Sequence, residues 1–70
     1  MKSKFSKRLK ELRIEKGLSQ MGLCKALDNK ITYAAISYWE QEKRSPSLDC
    51  CIILADFFNV TLDYLAGREE

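Results

Sequence analysis

Three segments of the sequence share one pattern: an apolar residue, a hydroxyl residue directly after it, and a second apolar residue four positions beyond the hydroxyl. The segments are Leu18–Leu23, Ile31–Ile36 and Val60–Leu65. A Ser or Thr side chain at that position accepts a hydrogen bond from a free backbone N–H group of a starting helix, while the two apolar residues pack across its first turn. The repeated pattern therefore predicts three separate helix starts.

Two further helices are predicted from the spacing of apolar residues. Phe5, Leu9 and Leu12 lie at i, i+4 and i+7, which places them along one side of a helix that ends at Gly17. Another helix begins at Ser47, directly after the only proline. Its apolar residues at helical spacing are Leu48, Cys51, Ile52, Ala55 and Phe58. Because no segment alternates apolar and polar residues as a half-buried strand would, we predict an all-α fold.

Together the predicted helices form one compact domain over residues 1–70. Their ranges are about 4–16, 19–27, 32–40, 47–58 and 61–66. A chain this short buries only about 60% of the surface that its unfolded form exposes, so a second domain is not expected. Helices 2 and 3 are joined by residues 28–31 alone, where Asn29 tolerates the left-handed conformation of a tight reversal. Two short helices joined this closely predict a helix-turn-helix.

The residue content argues against catalysis and against metal binding. The sequence contains no histidine, which removes the commonest general base and the commonest metal ligand. Its three glycines are too scattered to form a phosphate-binding loop, and no C-x-x-C pair is present. We therefore expect no enzymatic activity, no cofactor and no metal site.

Cysteine usage and hydropathy both indicate a cytoplasmic protein. Cys24, Cys50 and Cys51 are odd in number and two of them are adjacent, which favours reduced, buried thiols over disulfides. No apolar segment approaches the roughly 18 residues that a membrane span requires, and the charged N-terminus does not resemble a signal peptide. No contact with a membrane is expected.

Charge is distributed unevenly along the chain. Residues 1–44 hold eleven Lys or Arg against five acids, a net charge of +6, whereas residues 45–70 hold Arg68 against five acids, a net charge of −4. A basic half is typical of a protein that binds nucleic acid, although a solvated basic helix produces the same pattern. Charge alone leaves both interpretations open.

From Leu9 to Gly67 the sequence resembles the phage-repressor and xenobiotic-response-element family of helix-turn-helix regulators. The segments that carry the resemblance are Arg8–Arg13, Gly17–Gln20, Ile36–Glu40, Lys43–Leu48 and Leu54–Leu65. They follow one another in the family order across the five predicted helices. The resemblance implies a five-helix repressor-like domain and a sequence-specific transcriptional regulator, in the first place a repressor, that binds double-stranded DNA.

The resemblance also implies which residues contact DNA. Helix 3 becomes the recognition helix, which lies in the major groove. The residues expected to face base edges are Tyr33, Ala34, Ser37 and Tyr38. The residues expected to contact phosphates are Gln20, Lys43, Arg44, Lys2, Lys4 and Lys7. The first set selects the sequence, and the second supplies affinity.

Other residues of the recognition helix are assigned structural roles. Trp39 lies three residues after Ile36, a spacing that places both side chains in the core. Arg13 and Glu40 match a pair that, in the family, joins helix 1 to the end of helix 3. The resemblance therefore implies that this pair sets the angle of the recognition helix.

The sequence departs from the family pattern around helix 3. Tyr33 stands where several phage repressors carry a glutamine that makes two hydrogen bonds to adenine, which a phenol cannot do. Glu42 occupies a position that is usually glycine, and the turn before helix 3 is about two residues longer than usual. A relative's operator is therefore not transferable. We expect a partly A·T-biased site in which Ala34 and Tyr38 contact thymine methyl groups and DNA shape contributes.

A homodimer on a palindromic operator is the expected assembly, with two recognition helices about one DNA turn, ~34 Å, apart. Because the family often pairs through its last helices, the candidate residues are Phe57, Leu62, Tyr64 and Leu65, although core packing explains most of them equally well. Since the sequence ends at Glu70, we expect no ligand-sensing domain and no small-molecule ligand.

The alternative interpretation is a protein-interaction module that kept the fold without binding DNA, such as an antirepressor or an antitoxin-like partner. The side of helix 3 that Tyr33, Ala34 and Tyr38 would form favours it, since aromatic residues are common at protein interfaces. Gln20, Lys43 and Arg44 argue against it, because they have no evident purpose without phosphates.

Overall fold

The computed structural model describes residues 4–68, and this part of the chain contains five α-helices and no strand. The helices are α1 (Phe5–Glu15), α2 (Gln20–Ala26), α3 (Tyr33–Glu40), α4 (Leu48–Phe58) and α5 (Leu62–Leu65). Each lies within the corresponding range expected from the sequence, and the all-α, five-helix fold is confirmed. None of these helices is long and apolar enough to cross a membrane.

Four of the five helices begin at a hydroxyl side chain. Each hydroxyl accepts a hydrogen bond of 2.9–3.2 Å from the backbone N–H three residues later. The capping residues are Ser19 for α2, Thr32 for α3, Ser47 for α4 and Thr61 for α5. A cap of this kind stabilises a short helix by about 1 kcal/mol, which matters most for helices as short as α2 and α5. The repeated sequence pattern therefore marks true helix starts.

All five helices end in the same type of turn, in which one residue takes the left-handed backbone conformation. These residues are Gly17, Asp28, Glu42, Asn59 and Gly67, with φ between 57° and 81°. In each turn the N–H of that residue and the next N–H bond back to carbonyl oxygens of the last helical turn, as in a Schellman motif. Only two of the five are glycine, so the other three positions carry a steric cost that the turn geometry imposes.

The turn between α2 and α3 places two residues in a row in the left-handed region. Asp28 and Asn29 have φ values of 57° and 60°. The Asn29 side-chain oxygen accepts a hydrogen bond from the Cys24 thiol at 3.3 Å. This local bond stabilises the reversal that turns α3 across α2, and it explains why a polar residue with a short side chain suits position 29.

The recognition helix predicted from the sequence, α3, contributes to the core on its inner side. It packs against α1 and α2, while α5 packs against α1 and α4. Ile36 and Trp39 are buried, and the Trp39 ring meets Phe5 edge to face with ring centres 5.9 Å apart. The buried residues are Phe5, Leu9, Leu12, Leu23, Cys24, Leu27, Ile31, Ile36, Trp39, Leu54, Ala55, Phe58 and Leu65.

Helix α4 differs from the apolar stripe expected for it. Leu48 and Ile52 are 67% and 41% exposed, whereas Leu54, which lies outside the stripe, is fully buried. Apolar residues occur on nearly every side of this helix, so their spacing predicts a helix but cannot show which side is buried. As a result, Leu48 and Ile52 lie one turn apart on the outer side of α4.

The three thiols are free, but only Cys24 is buried. Cys50 and Cys51 are half-buried on α4. The expectation of three buried thiols is therefore wrong for the adjacent pair. The reason is that α4 is a surface helix whose first half contacts the core less than its second half, where Leu54, Ala55 and Phe58 are buried.

Candidate nucleic-acid interface

The outer side of α3 presents the residues that the resemblance assigned to base edges. Tyr33 and Tyr38 are 45% and 41% exposed. Ala34 is exposed between them, and Ser37 is half-buried with its hydroxyl accepting a hydrogen bond from the Gln41 side-chain amide at 2.8 Å. The structure thus brings these four residues onto the accessible part of one short helix.

The last residue of α3, Glu40, forms an ion pair with Arg13 of α1. Arg13 Nε donates to Glu40 Oε2 at 2.8 Å and Arg13 Nη2 donates to Glu40 Oε1 at 2.9 Å, so the contact is bidentate. A third donor, Arg13 Nη1, bonds the Leu18 carbonyl oxygen at 2.8 Å. The hydrogen bond to Glu40 raises the pKa of Arg13 above its ordinary value. One guanidinium therefore ties α1 to both the start of α2 and the last residue of α3.

Gln20, the first residue of α2, is part of the same network. Its side-chain nitrogen donates to Glu40 Oε1 at 3.1 Å, and the side chain is only half-buried. An amide nitrogen carries two N–H donors, so this bond occupies one of them. The structure therefore places Gln20 beside the end of α3, with one donor still available for an external acceptor.

The cations expected at phosphates are exposed where the structure describes them. Lys43 and Arg44 follow the end of α3, and the Arg44 guanidinium carbon lies 5.3 Å from the centre of the Tyr38 ring. Lys4 and Lys7 are exposed at the start of α1. Lys2 lies outside the described residues.

The start of α1 and the end of α3 are joined directly. The Ser6 hydroxyl donates a hydrogen bond to the Trp39 carbonyl oxygen. Because Ser6 lies between Lys4 and Lys7 in the sequence, this bond brings the first turn of α1 beside the last turn of α3.

The four candidates for a dimer contact have different environments. Leu62 is 40% exposed. Phe57 is half-buried, and the Lys16 ammonium group lies 5.3 Å from the centre of its ring. Tyr64 is also half-buried, and the Arg8 guanidinium lies 4.2 Å from the centre of its ring. Leu65 is 1% exposed. Leu65 is therefore a core residue, the alternative that the sequence left open for it, because it closes the first turn of α5 onto the core.

Leu48 and Ile52, which the sequence placed on the apolar side of the α4 helix, are exposed and extend an apolar surface from Leu62. Leu48 and Leu62 line one groove of about 320 Å³, and Ile52 lies one helical turn beyond Leu48 on α4. We call Leu48, Ile52 and Leu62 the apolar patch. The sequence contained one indication of this surface: α4 has more apolar residues than a single buried side of a helix can hold.

Comparison with known proteins agrees with this geometry. The helix-turn-helix family model HTH_3 matches residues 9–65, which include all of α2, the turn and α3. The chain therefore belongs to the helix-turn-helix family, and the resemblance to phage repressors is confirmed. The expectation that it is not an enzyme agrees with this membership. No solved structure gives a significant match.

Two curated relatives are named as transcriptional regulators. The HTH-type transcriptional activator BcrR of Enterococcus faecalis is 36% identical over 66 residues, which cover 94% of this chain and 31% of the relative. The HTH-type transcriptional regulator ImmR of Bacillus subtilis (strain 168) is 36% identical over 66 residues, which cover 94% of this chain and 50% of the relative. The chain thus spans a third to a half of the length of these relatives.

Proposed function

We propose that this chain binds double-stranded DNA sequence-specifically and regulates transcription, with α3 in the major groove. One observation carries the proposal: the outer side of α3 exposes Tyr33 and Tyr38, and the cations Lys43 and Arg44 follow directly at its end. A short helix flanked by cations suits a groove about 12 Å wide between phosphates. Family membership and two relatives named as transcriptional regulators support the same function.

The phosphate contacts would surround α3. Lys43 and Arg44 lie at its end, and the Ser6 hydrogen bond to Trp39 holds the first turn of α1 beside it. We assign Lys4 and Lys7, both exposed at the start of α1, to phosphates. We assign Gln20, at the start of α2, and Lys2 to phosphates as well. Each neutralised phosphate releases counterions, so binding to any duplex should weaken steeply as salt rises.

Sequence choice would come from the outer side of α3. Ala34 offers a methyl group, and Tyr33 and Tyr38 offer rings, to thymine methyl groups. The Ser37 hydroxyl accepts from Gln41 and keeps its own hydrogen to donate to a base edge. These residues favour a site that is partly A·T-biased.

We further propose that the protein acts as a homodimer on a palindromic operator. The apolar patch supports this assembly, because it exposes Leu48, Ile52 and Leu62 together on α4 and α5. A surface of this kind is suited to burial against its own copy. Two-fold pairing would place two α3 helices about one DNA turn apart, and two half-sites would give an affinity that one copy lacks.

Repression is the regulatory effect that we propose. A protein bound to an operator excludes other proteins from the same DNA, whereas activation requires an additional contact. The protein would then act in the cytoplasm, as its sequence predicts.

Selection of binders from a random duplex DNA pool at physiological salt tests the proposal. We expect enrichment of a two-fold-symmetric motif. Selection with Lys43→Ala should return the same motif from a weaker binder, because a phosphate contact carries no sequence information, whereas Tyr33→Ala should change the preference within each half-site. Enrichment of no motif by the folded wild-type protein would reject a sequence-specific function.

A second candidate function is a protein-interaction module, favoured by the two exposed tyrosines on α3. Its distinguishing outcome is simple to measure. A folded chain that shows no salt-dependent binding to generic duplex DNA would favour this alternative, since the cations around α3 guarantee some binding if that side meets DNA.

A further inference from the structure

Arg44 reaches back over a side chain of the helix that precedes it. Helix α3 ends at Glu40, yet the guanidinium carbon of Arg44 lies 5.3 Å from the centre of the Tyr38 ring. The turn between them makes this possible: Glu42 is left-handed, with φ 61°, and the Lys43 N–H bonds back to the Tyr38 carbonyl oxygen at 2.9 Å. The chain therefore reverses within two residues and sets Arg44 beside α3.

The two side chains share one open groove. It has a volume of about 370 Å³ and lies between α3 and the start of α4, with Ala34, Tyr38, Arg44 and Ser47 among its lining residues. Tyr38 and Arg44 are both exposed, and Arg44 has no carboxylate partner among residues 4–68. The ring of Tyr38 is thus the group that orients the guanidinium in the described part of the chain.

The contact with Tyr38 leaves the guanidinium able to bind an anion. A guanidinium carries five N–H donors, and one ring contact at 5.3 Å does not occupy them all. An arginine on a flexible stem otherwise loses rotamer freedom when it binds, and this loss opposes binding. A ring that already restricts the guanidinium reduces that cost.

We propose that Tyr38 is a positioning residue for Arg44, and that it holds the guanidinium at the edge of α3 to donate to a DNA phosphate. The inference rests on the DNA-binding function proposed above and adds to it. Tyr38 then contributes to the affinity for every duplex through Arg44, besides its own contact with a base. Its removal should weaken an electrostatic contact although it removes no charge.

The salt dependence of duplex binding tests this role. The slope of log K against log salt is negative, and Arg44→Gln should make it shallower by about 0.9, the value for one lost phosphate contact. Tyr38→Leu should make the slope shallower by a smaller amount than Arg44→Gln does. It should also weaken generic binding about two- to five-fold, in keeping with an exposed cation–π contact. Tyr38→Phe, which keeps the ring, should retain the wild-type slope.

A double-mutant cycle gives the second measurement. Tyr38→Leu should have little further effect on generic binding in the Arg44→Gln background, because the group that it positions is gone. In the Lys43→Gln background, Tyr38→Leu should still have its full effect on generic binding. Tyr33→Leu is the matched control, since Tyr33 is similarly exposed on α3 but has no cation over its ring among the described residues. It should change sequence preference without changing the slope.

The possible failures are distinguishable. If wild-type protein binds duplex DNA but the effects of Tyr38→Leu and Arg44→Gln simply add, or Tyr38→Leu leaves the slope unchanged, the positioning role is wrong and the DNA-binding function stands. If folded wild-type protein binds no duplex at any salt concentration, both are wrong. Far-ultraviolet circular dichroism of each variant checks the fold.

Discussion

Glu40 accepts hydrogen bonds from Arg13 through both of its carboxylate oxygens, and this pair joins the last residue of α3 to α1. The two side chains are only 11% and 5% exposed. At this depth the attraction is weakly screened, but each charge has also lost most of its hydration. The orientation of α3 therefore depends on a contact in which both partners must be present.

Removing one partner of this pair should be costly. Arg13→Met leaves the Glu40 carboxylate without its main partner and should lower the free energy of unfolding by about 3 kcal/mol. The double variant Arg13→Met/Glu40→Met should lose clearly less, because neither charge is stranded. Urea unfolding followed by circular dichroism measures both values, with exposed Lys10→Met on the same helix as the control. A double variant at least as unstable as Arg13→Met would contradict this account.

The left-handed turn after α3 offers a stabilising substitution. Glu42 has φ 61°, a conformation that costs a residue with a Cβ roughly 1–2 kcal/mol and costs glycine little. After the extra chain entropy of glycine is subtracted, Glu42→Gly should raise the free energy of unfolding by about 1 kcal/mol. It also removes an acid beside Lys43 and should strengthen binding to any duplex.

The control Glu42→Gln separates these two effects. It removes the charge and keeps the Cβ, so it should strengthen DNA binding as Glu42→Gly does, without the gain in stability. Urea unfolding and duplex titration at two salt concentrations measure the two quantities. Equal stability of the glycine and glutamine variants would show that the turn imposes no strain at this position.

The helices could be predicted from the sequence because their signals are local. Ser19, Thr32 and Thr61 each cap a helix through a bond that spans three residues, and such a bond needs no knowledge of the fold. The inner positions of α3 followed for the same reason, since Ile36 and Trp39 lie on one side at helical spacing. The order of family segments then supplied the arrangement of these helices.

The surfaces could not be predicted in the same way, because they depend on how helices pack. Leu65 had the character of an interface residue but lies in the core, whereas Leu48 and Ile52 had the spacing of core residues but are exposed. The contact of Arg44 with Tyr38 likewise depends on the turn geometry at Glu42. Residue type and spacing do not specify which of several apolar sides meets the core.

The pH dependence of Cys51 reactivity follows from its surroundings. Burial raises the pKa of the Cys51 thiol, and the neighbouring Cys50 adds to the increase. The folded chain therefore holds the thiol proton more tightly than the unfolded chain. The contribution of this thiol to stability is present below the ordinary thiol pKa of about 8.5 and is lost as pH rises through the pKa of Cys51 in the folded chain.

Alkylation with iodoacetamide measures this difference directly, because the thiolate is the reactive form. The rate at Cys51, located by tandem mass spectrometry, should rise at a higher pH in the folded chain than in the same chain in urea. The unfolded chain is the control, and coincident pH profiles in the two states would contradict the expectation.

The apolar patch on α4 and α5 should determine the oligomeric state if the chain pairs as proposed. Leu62→Glu places a charge within the patch, which the proposed pairing would bury against a second copy, so it should convert a dimer into a monomer in sedimentation velocity runs. Because Leu62 is 40% exposed, the fold should survive the change. Ile14→Glu is the matched control. Ile14 is 57% exposed on α1 outside the patch, so this variant should leave the dimer intact.

The Leu62→Glu monomer should bind an isolated half-site as wild type does, because α3 is untouched, but it should lose the additional affinity for the complete palindrome. A wild-type protein that sediments as a monomer on the full operator, or a Leu62→Glu protein that remains dimeric, would place the pairing surface elsewhere or remove the need for one.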